Sequence, residues 1–340
     1  MSKIDKNISN DNTKDELKLS INGYTKEFED EIKQSIKELE NGEFFEFDSI
    51  EKAMEFLNTD DLLYKECKMS FENILGFGIA GNFAQHLEQA GEAADFEGLV
   101  RKEGAPKGIF PFYAPNNSSF LGRYPLSSKI LEIPKNSSIQ AEPEIALRLT
   151  LDYDKNGICD IKVLSFMSFN DASIRGVKAP KISYKKNFSS ASKGAGNEIA
   201  INSFESGGIC DDFSLVSFLR SDGEFIQYGE CAKLVKYGYF YSKLLEWTKI
   251  TLNTQKDEAV LEHLAPFFAS KPKQILLTLG ATRYQPNMEN RYLKADDEIY
   301  IIAFNHKKFN LDEITKLAKN DEIIANNDIS ILKQKVVENG

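Results

Sequence analysis

The sequence predicts a predominantly β protein with a minority of helices, an α+β fold, on three observations. After residue 100, short apolar runs are punctuated by Gly, Pro, Asn and Asp, as in KGIFPFYAP, SKILEIP, EIALRLTLDYD and DIKVLSFMSF. Two pairs of runs flank tight-turn residues, Asn156 and Gly157 in LDYDKNGICDIKVL, and Asp222 and Gly223 in SLVSFLRSDGEFIQYGEC. No alternation of strands with long helices runs through this region, which argues against a parallel α/β sheet.

Taken in order, residues 1 to about 20 are polar and rich in Asn, Asp and Lys, a composition that favours disorder. A helical pattern follows: YTKEFEDEIKQSIKELENG ends on Gly42, and SIEKAMEFLN begins at Ser49, an N-cap residue. Residues 1–75 are therefore expected to form a polar N-terminus and helical extension. The main domain is expected over 76–305, and a C-terminal helix with a polar tail over 306–340. Within the main domain YFYSKLLEWTKI reads as a helix, and KQILLTLGA and DEIYIIAFN as late strands. LDEITKLAKN, after Asn310, reads as the final helix. There is no internal repeat.

The 340 residues carry a net charge of −10 and a pI near 5.1. That balance disfavours a nucleic-acid backbone or an anionic membrane as partner, and no basic block reverses it locally. Cys67, Cys159, Cys210 and Cys231 are widely scattered, without zinc-site spacing or a disulfide framework. MSKIDKNISNDNTKDEL has no apolar signal core and no stretch approaches a membrane span, so a soluble, cytoplasmic protein is expected.

NILGFGIAGNFAQHLEQAG places Gly76, Gly78 and Gly81 in a GxGxxG arrangement, with acids farther on at Asp95 and Glu97. This is the outline of a dinucleotide-binding turn. The run before it, FENIL, is short and partly polar, and no second βαβ unit follows. Close packing or a tight turn is the simpler account of these glycines.

The stretch IQAEPEIALRL carries more chemistry. In a strand, Ile145, Leu147 and Leu149 point one way, and Glu142, Glu144, Ala146 and Arg148 the other. Pro143 suits a strand start. Spacing alone allows either a solvated face with incidental acids or paired carboxylates converging on a hard cation. FNDASIRGVKAP adds Asp171, Ser173 and Arg175 at alternate positions. SYKKNFSSASKGAG adds Lys185, Lys186 and Lys193 among small residues, either as an exposed turn or as cationic groups for an anionic substrate.

In order, Glu142-Pro143-Glu144, Asp171-Ala172-Ser173-Ile174-Arg175 and Lys186-Asn187-Phe188 resemble the E-x-E, D-x-T-x-R and lysine-x-Phe motifs of the fumarylacetoacetate hydrolase (FAH) family. GNFAQH resembles that family's segment around a catalytic histidine. The resemblance continues through DGEFIQYGE and ILLTLGATRYQP to the ADDEIYIIAF strand, covering roughly residues 75 to 305. It implies an FAH-like mixed β-roll or barrel with a small helical N-terminal extension. It also implies a divalent cation, usually Mg²⁺, held by Glu142, Glu144 and Asp171. Carboxylate ligands alone do not separate Mg²⁺ from Mn²⁺ or Ca²⁺.

The chemistry implied acts on small oxo acids, by C–C hydrolysis, decarboxylation, hydration or tautomerisation. His86 and Lys186 would be catalytic, and Arg175, Ser173, Tyr113, Thr282 and Gln89 would line the substrate site. Two of these depart from the family pattern. Gln89 stands where family hydrolases carry the glutamate of H-x-x-E, and Tyr113 stands where F-x-K-P carries lysine. Thr282 answers to the threonine of a late T-G-T-P turn that is one residue longer here. Family members are commonly dimeric, so a homodimer is implied, with no interface legible. Two other readings stay open: a catalytically silent metal- or metabolite-binding protein on the same fold, and a nicotinamide-binding protein using residues 76–81.

Overall fold

A computed structural model describes residues 71–339 apart from 84–85, 90, 92, 97 and 100. The expected N-terminal helices and Cys67 lie outside the described residues, as does Glu97. The chain runs through β1 (Leu75–Ala80), a short helix α1 (His86–Gln89), β2 (Gly108–Tyr113), β3 (Ile130–Pro134) and β4 (Ile139–Gln140). The long hairpin of β5 (Pro143–Asp154) and β6 (Gly157–Asn170) follows, then β7 (Ser173–Ile174), α2 (Ser183–Lys186), β8 (Gly194–Ala195) and β9 (Ile199–Ala200). A second hairpin, β10 (Phe213–Ser221) and β11 (Glu224–Lys233), leads to α3 (Tyr241–Thr254) and β12 (Gln274–Thr278). β13 (Glu298–Asn305), α4 (Leu311–Lys319) and β14 (Ile329–Asn339) complete it.

These strands form a seven-stranded sheet in the order β2-β1-β12-β5-β6-β8, with β9 also on β6, and a five-stranded sheet in the order β11-β10-β13-β14-β3. A small β4–β7 pair stands apart. Every pairing between named strands is antiparallel except β1 with β12 and β14 with β3. The predominantly β reading therefore holds, and among the described residues no βαβ run is present.

Local chemistry explains the turns. Asp222 and Gly223 both take positive φ, 53° and 82°, the geometry a two-residue hairpin loop requires. Helix α4 opens with a reciprocal cap between Asn310 and Glu313. Ile145, Leu147, Leu149 and Leu151 of β5 share one apolar cluster with Leu215 and Leu219 of β10 and Ile299 and Ile301 of β13. This is the main core. The other face of β5 is buried too: Ala146 packs with Phe112, Met167 and Phe169, and Arg148 is held by Gln274 and Glu198. The glutamate pair thus does not lie on a solvated strand face.

The glycines of the GxGxxG stretch lie elsewhere than a phosphate-binding loop. Gly76 and Gly78 are inside β1, where an added Cβ would come within 2.3 Å of the Phe112 ring and 2.4 Å of the Phe110 ring. Gly81 ends the strand with φ 73°. The role is close packing and a turn, and the next strand, β2, returns antiparallel.

The expected polar tail after α4 is instead strand β14, which lies between β13 and β3. Leu332, Gln334 and Val336 alternate inward with the pleat. Intervening lysines at 333 and 335 lower the hydropathy of the run and disguise it. Cys159, Cys210 and Cys231 are free thiols. No helix among the described residues is long and apolar enough to cross a membrane.

Candidate metal centre

The β5–β6 hairpin brings together residues far apart in sequence. Its last register pair is Pro143 with Asn170, so Glu142 stands across from Asp171 at the open end. Two backbone contacts fix them: Asp171 N–H donates to the Glu142 carbonyl at 3.0 Å, and Glu142 N–H donates to Asn170 Oδ1 at 3.1 Å. Asn170 in turn donates to Gln334 Oε1 of β14 at 2.8 Å. Glu144, one pleat further on, completes the group. Oxygens of Glu142, Glu144 and Asp171, one from each, lie within 4.8 Å of one another, and all three residues are buried.

Three cations face this triad. Lys186, at the end of α2, places its ammonium 2.7 Å from Glu142 Oε2 and 2.6 Å from Asp171 Oδ2, and donates to the Asp171 carbonyl at 3.1 Å. Asn187 anchors this helix end by donating to the Phe112 and Arg123 carbonyls. Arg175 Nη2 lies 2.8 Å from Glu142 Oε1, while its Nε donates to Gln140 and its Nη2 to the Tyr284 hydroxyl. Lys193, fully buried, lies 2.9 Å from Asp171 Oδ1 and donates to the Ala172 carbonyl. Burial pushes the Lys193 ammonium down to about 8, with the Asp171 charge opposing the shift.

The two glutamates are driven in opposite directions. Burial raises Glu142, but the charges of Lys186, Arg175 and His86 outweigh it and hold the carboxyl well below the usual carboxylate range. Glu144 is raised well above that range by burial first and then by the Asp171 charge. Its Oε2 accepts the Gly280 N–H at 2.6 Å, while Oε1 has no hydrogen-bond partner among the described residues. Gly280 offers that N–H from a turn with φ 95°, where a Cβ would also approach the Ile79 carbonyl at 3.1 Å.

A buried carboxylate oxygen without a donor, beside two further carboxylates, is the arrangement a hard cation satisfies. The residues fit such an ion. The adjoining cavity is lined by His86, Phe83, Phe96, Phe110, Lys186 and the triad, and leaves about 20 Å³ for the centre of a water-sized sphere. That is room for a water or an ion.

The remaining predicted site residues are distributed unevenly. His86 Nε2 sits 3.9 Å from Glu142 Oε2, its ring 5.2 Å from that of Tyr284. Gln89 lies off the cavity wall: its amide contacts the Tyr284 backbone and Glu289. Tyr113 also lies outside the cavity, because its hydroxyl donates to the Glu72 carbonyl and its ring packs edge-on to Tyr124. Ser173 is buried in β7 opposite Gln140, again off the wall. Thr282 donates through its N–H and hydroxyl to the Pro143 carbonyl, tying the Gly280 turn to the start of β5. Sequence reasoning missed the Gly280 N–H, the Tyr284 hydroxyl and the Asn170–Gln334 link. Only Gly280 left a local signal, a lone glycine after the apolar run of β12.

Residues 92–336 match the family described as "Family of unknown function (DUF5718)". The chain belongs to this family. No curated protein matches the DUF5718 chain. Among solved structures it is similar to 2-keto-3-deoxy-D-arabinonate dehydratase complexed with magnesium and 2,5-dioxopentanoate, at 15% identity over 91% of this chain and 89% of that one, TM-score 0.47. It is also similar to 5-carboxymethyl-2-hydroxymuconate delta-isomerase from Mycobacterium smegmatis, at 15% identity over 78% and 80% of the two chains, TM-score 0.44. A Yersinia pestis CO92 protein described as of the fumarylacetoacetate hydrolase family is similar at 12% identity over 78% and 93%, TM-score 0.43. The hairpin of the DUF5718 chain assembles the E-x-E and Asp residues that carried the resemblance to the FAH family, while positions 89 and 113 differ from its pattern.

Proposed function

We propose that this chain is a divalent-metal-dependent enzyme acting on a small oxo acid, with Mg²⁺ held by Glu142, Glu144 and Asp171. One observation carries the reading: Glu144 Oε1 is buried without a donor beside two other carboxylates. When bound, the cation supplies Lewis acidity toward the keto and carboxylate oxygens of the substrate.

The chain's own residues supply the rest. Lys186 brings positive charge to the place where an enolate oxygen would develop. Arg175, fixed by Gln140 and Tyr284, orients Glu142. His86 lines the cavity, within reach of a proton on the substrate or on a water beside Glu142. Phe83, Phe96 and Phe110 make the wall apolar, which strengthens these charges by excluding water. Gln89 cannot accept a proton as a glutamate would. The reading therefore favours decarboxylation, hydration or tautomerisation over hydrolysis of a C–C bond.

The test is calorimetric titration of Mg²⁺ and Mn²⁺ into chelator-treated protein beside a Glu142→Gln/Glu144→Gln double variant. Saturable binding by the wild type, lost in a folded variant, is the expected result and opens a screen of oxo acids. Absence of binding by folded wild type would overturn the proposal. The amide of Gln89, held on the Tyr284 backbone and Glu289 off the cavity wall, favours a second reading, a metal- or metabolite-binding protein without turnover. Metal binding with no activity on any oxo acid would select it.

A further inference from the structure

Counting the oxygens of the triad exposes a conflict between the metal-binding reading and the contacts already made. Glu142 Oε1 faces Arg175, Glu142 Oε2 and Asp171 Oδ2 face Lys186, and Asp171 Oδ1 faces Lys193. Glu144 Oε2 is taken by Gly280. Only Glu144 Oε1 is left among the described residues. The triad also faces three cationic side chains, so it has no surplus negative charge to offer a dication.

A dication held by Glu142 and Asp171 would have to share their oxygens with an ammonium less than 3 Å away. Two cations on the same oxygens repel strongly in a buried site. The three cations differ in what lies beside them. All three are buried and each makes a further hydrogen bond, Lys193 to the Ala172 carbonyl, Lys186 to the Asp171 carbonyl and Arg175 to Gln140 and Tyr284. Of the three, Lys186 alone lines the cavity, with the Phe110 ring 5.4 Å from its ammonium. Its four-carbon stem is flexible, and the cavity beside it has room for one group of ammonium size.

We propose that Lys186 is an exchangeable internal counter-ion: its ammonium occupies the metal's carboxylate oxygens in the unloaded protein and is displaced into the cavity on loading. There it becomes a receptor for the anionic group of the ligand. This rests on the metal-dependent reading above. Metal and anion binding are then coupled through one side chain, and each raises affinity for the other.

The experiment measures Mn²⁺ binding, by loss of the free-ion electron paramagnetic resonance signal, to wild type, Lys186→Met, Lys186→Gln and Lys193→Met, each with and without oxalate. The expected result is that both Lys186 variants bind Mn²⁺ about tenfold more tightly than wild type, a typical coupling magnitude. Oxalate should also enhance binding less in them than in wild type. Lys193→Met should gain less than the Lys186 variants. Equal or weaker Mn²⁺ binding by the folded Lys186 variants would overturn the exchange while leaving the metal site standing. An equal gain in Lys193→Met would also overturn it, by making the effect one of general charge. No Mn²⁺ binding by any protein, even with oxalate, would remove both the metal reading and this inference. If the variants do not fold, wild type decides the matter through reductive methylation read by mass spectrometry. Lys186 labelling should rise several-fold on loading with Mg²⁺ alone, and unchanged labelling would overturn the exchange.

Discussion

Gln89 brackets the backbone of Tyr284: its side-chain oxygen accepts the Tyr284 N–H at 3.0 Å, and its amide nitrogen reaches the Tyr284 carbonyl at 3.4 Å. The same nitrogen donates to Glu289 Oε1 at 2.8 Å. An amide is the side chain that offers both a donor and an acceptor here. Gln89→Glu should therefore fail to restore a water-activating base. It removes two donated hydrogen bonds and sets a carboxylate against Glu289, costing about 1–3 kcal/mol. Denaturant unfolding of the variant checks this, with metal affinity expected to stay near wild type.

Gly280 links backbone conformation to the triad. Its φ of 95° is unfavourable for any residue with a Cβ, and its N–H holds Glu144. Gly280→Ala should cost about 1–3 kcal/mol and weaken Mn²⁺ binding by releasing Glu144 from its fixed orientation. Parallel melts and titrations read the two effects separately.

Gln334 lies behind the site. Its amide donates to the Ser127, Ile130 and Lys193 carbonyls, and its oxygen accepts from Asn170, which in turn holds the Glu142 N–H. Gln334→Leu leaves those buried groups unpaired and should cost roughly 2–4 kcal/mol. Mn²⁺ affinity should fall as well, because Glu142 loses its fixed position, and a titration of the folded variant measures that loss.

Glu262 sets a pH dependence of stability. Burial lifts its carboxyl from 4.5 to about 7, against the hydrogen bond donated by Ser183 at the start of α2. Between these values the folded protein holds a proton that the unfolded chain has released, so stability falls as pH rises through this window. The full effect is roughly 3 kcal/mol above pH 7. Glu262→Gln should flatten the profile between pH 4.5 and 8, measured by thermal melts across that range.

The parts of this fold that local chemistry decides were legible in the sequence. The Asp222–Gly223 turn, the helix after Asn310 and the parity of Glu142 and Glu144 each depend on residues a few positions apart. Asp171 could be joined to the pair only through ordered motifs, and the hairpin register sets it beside the two glutamates. What was illegible depends on distant partners. Lys193 looked like one of several loop lysines, and nothing near it in sequence shows that it is buried against Asp171. Tyr113 matched a motif position, but its hydroxyl is claimed by the Glu72 carbonyl, outside the segment that suggested it. β14 was obscured because its buried face includes a glutamine, whose partners come from β3, β6 and the segment around Lys193.

β14 is the last strand of the chain and yet an interior strand of its sheet. β3, some two hundred residues earlier, has no other strand to pair with among the described residues. A growing chain therefore carries all three acidic residues long before it carries Gln334, the brace behind them. A chain that stops at residue 328 would have the acidic triad without the support that shapes it. A chain that ended before β14 would leave the edges of β3 and β13 that it pairs with open, a surface prone to aggregation.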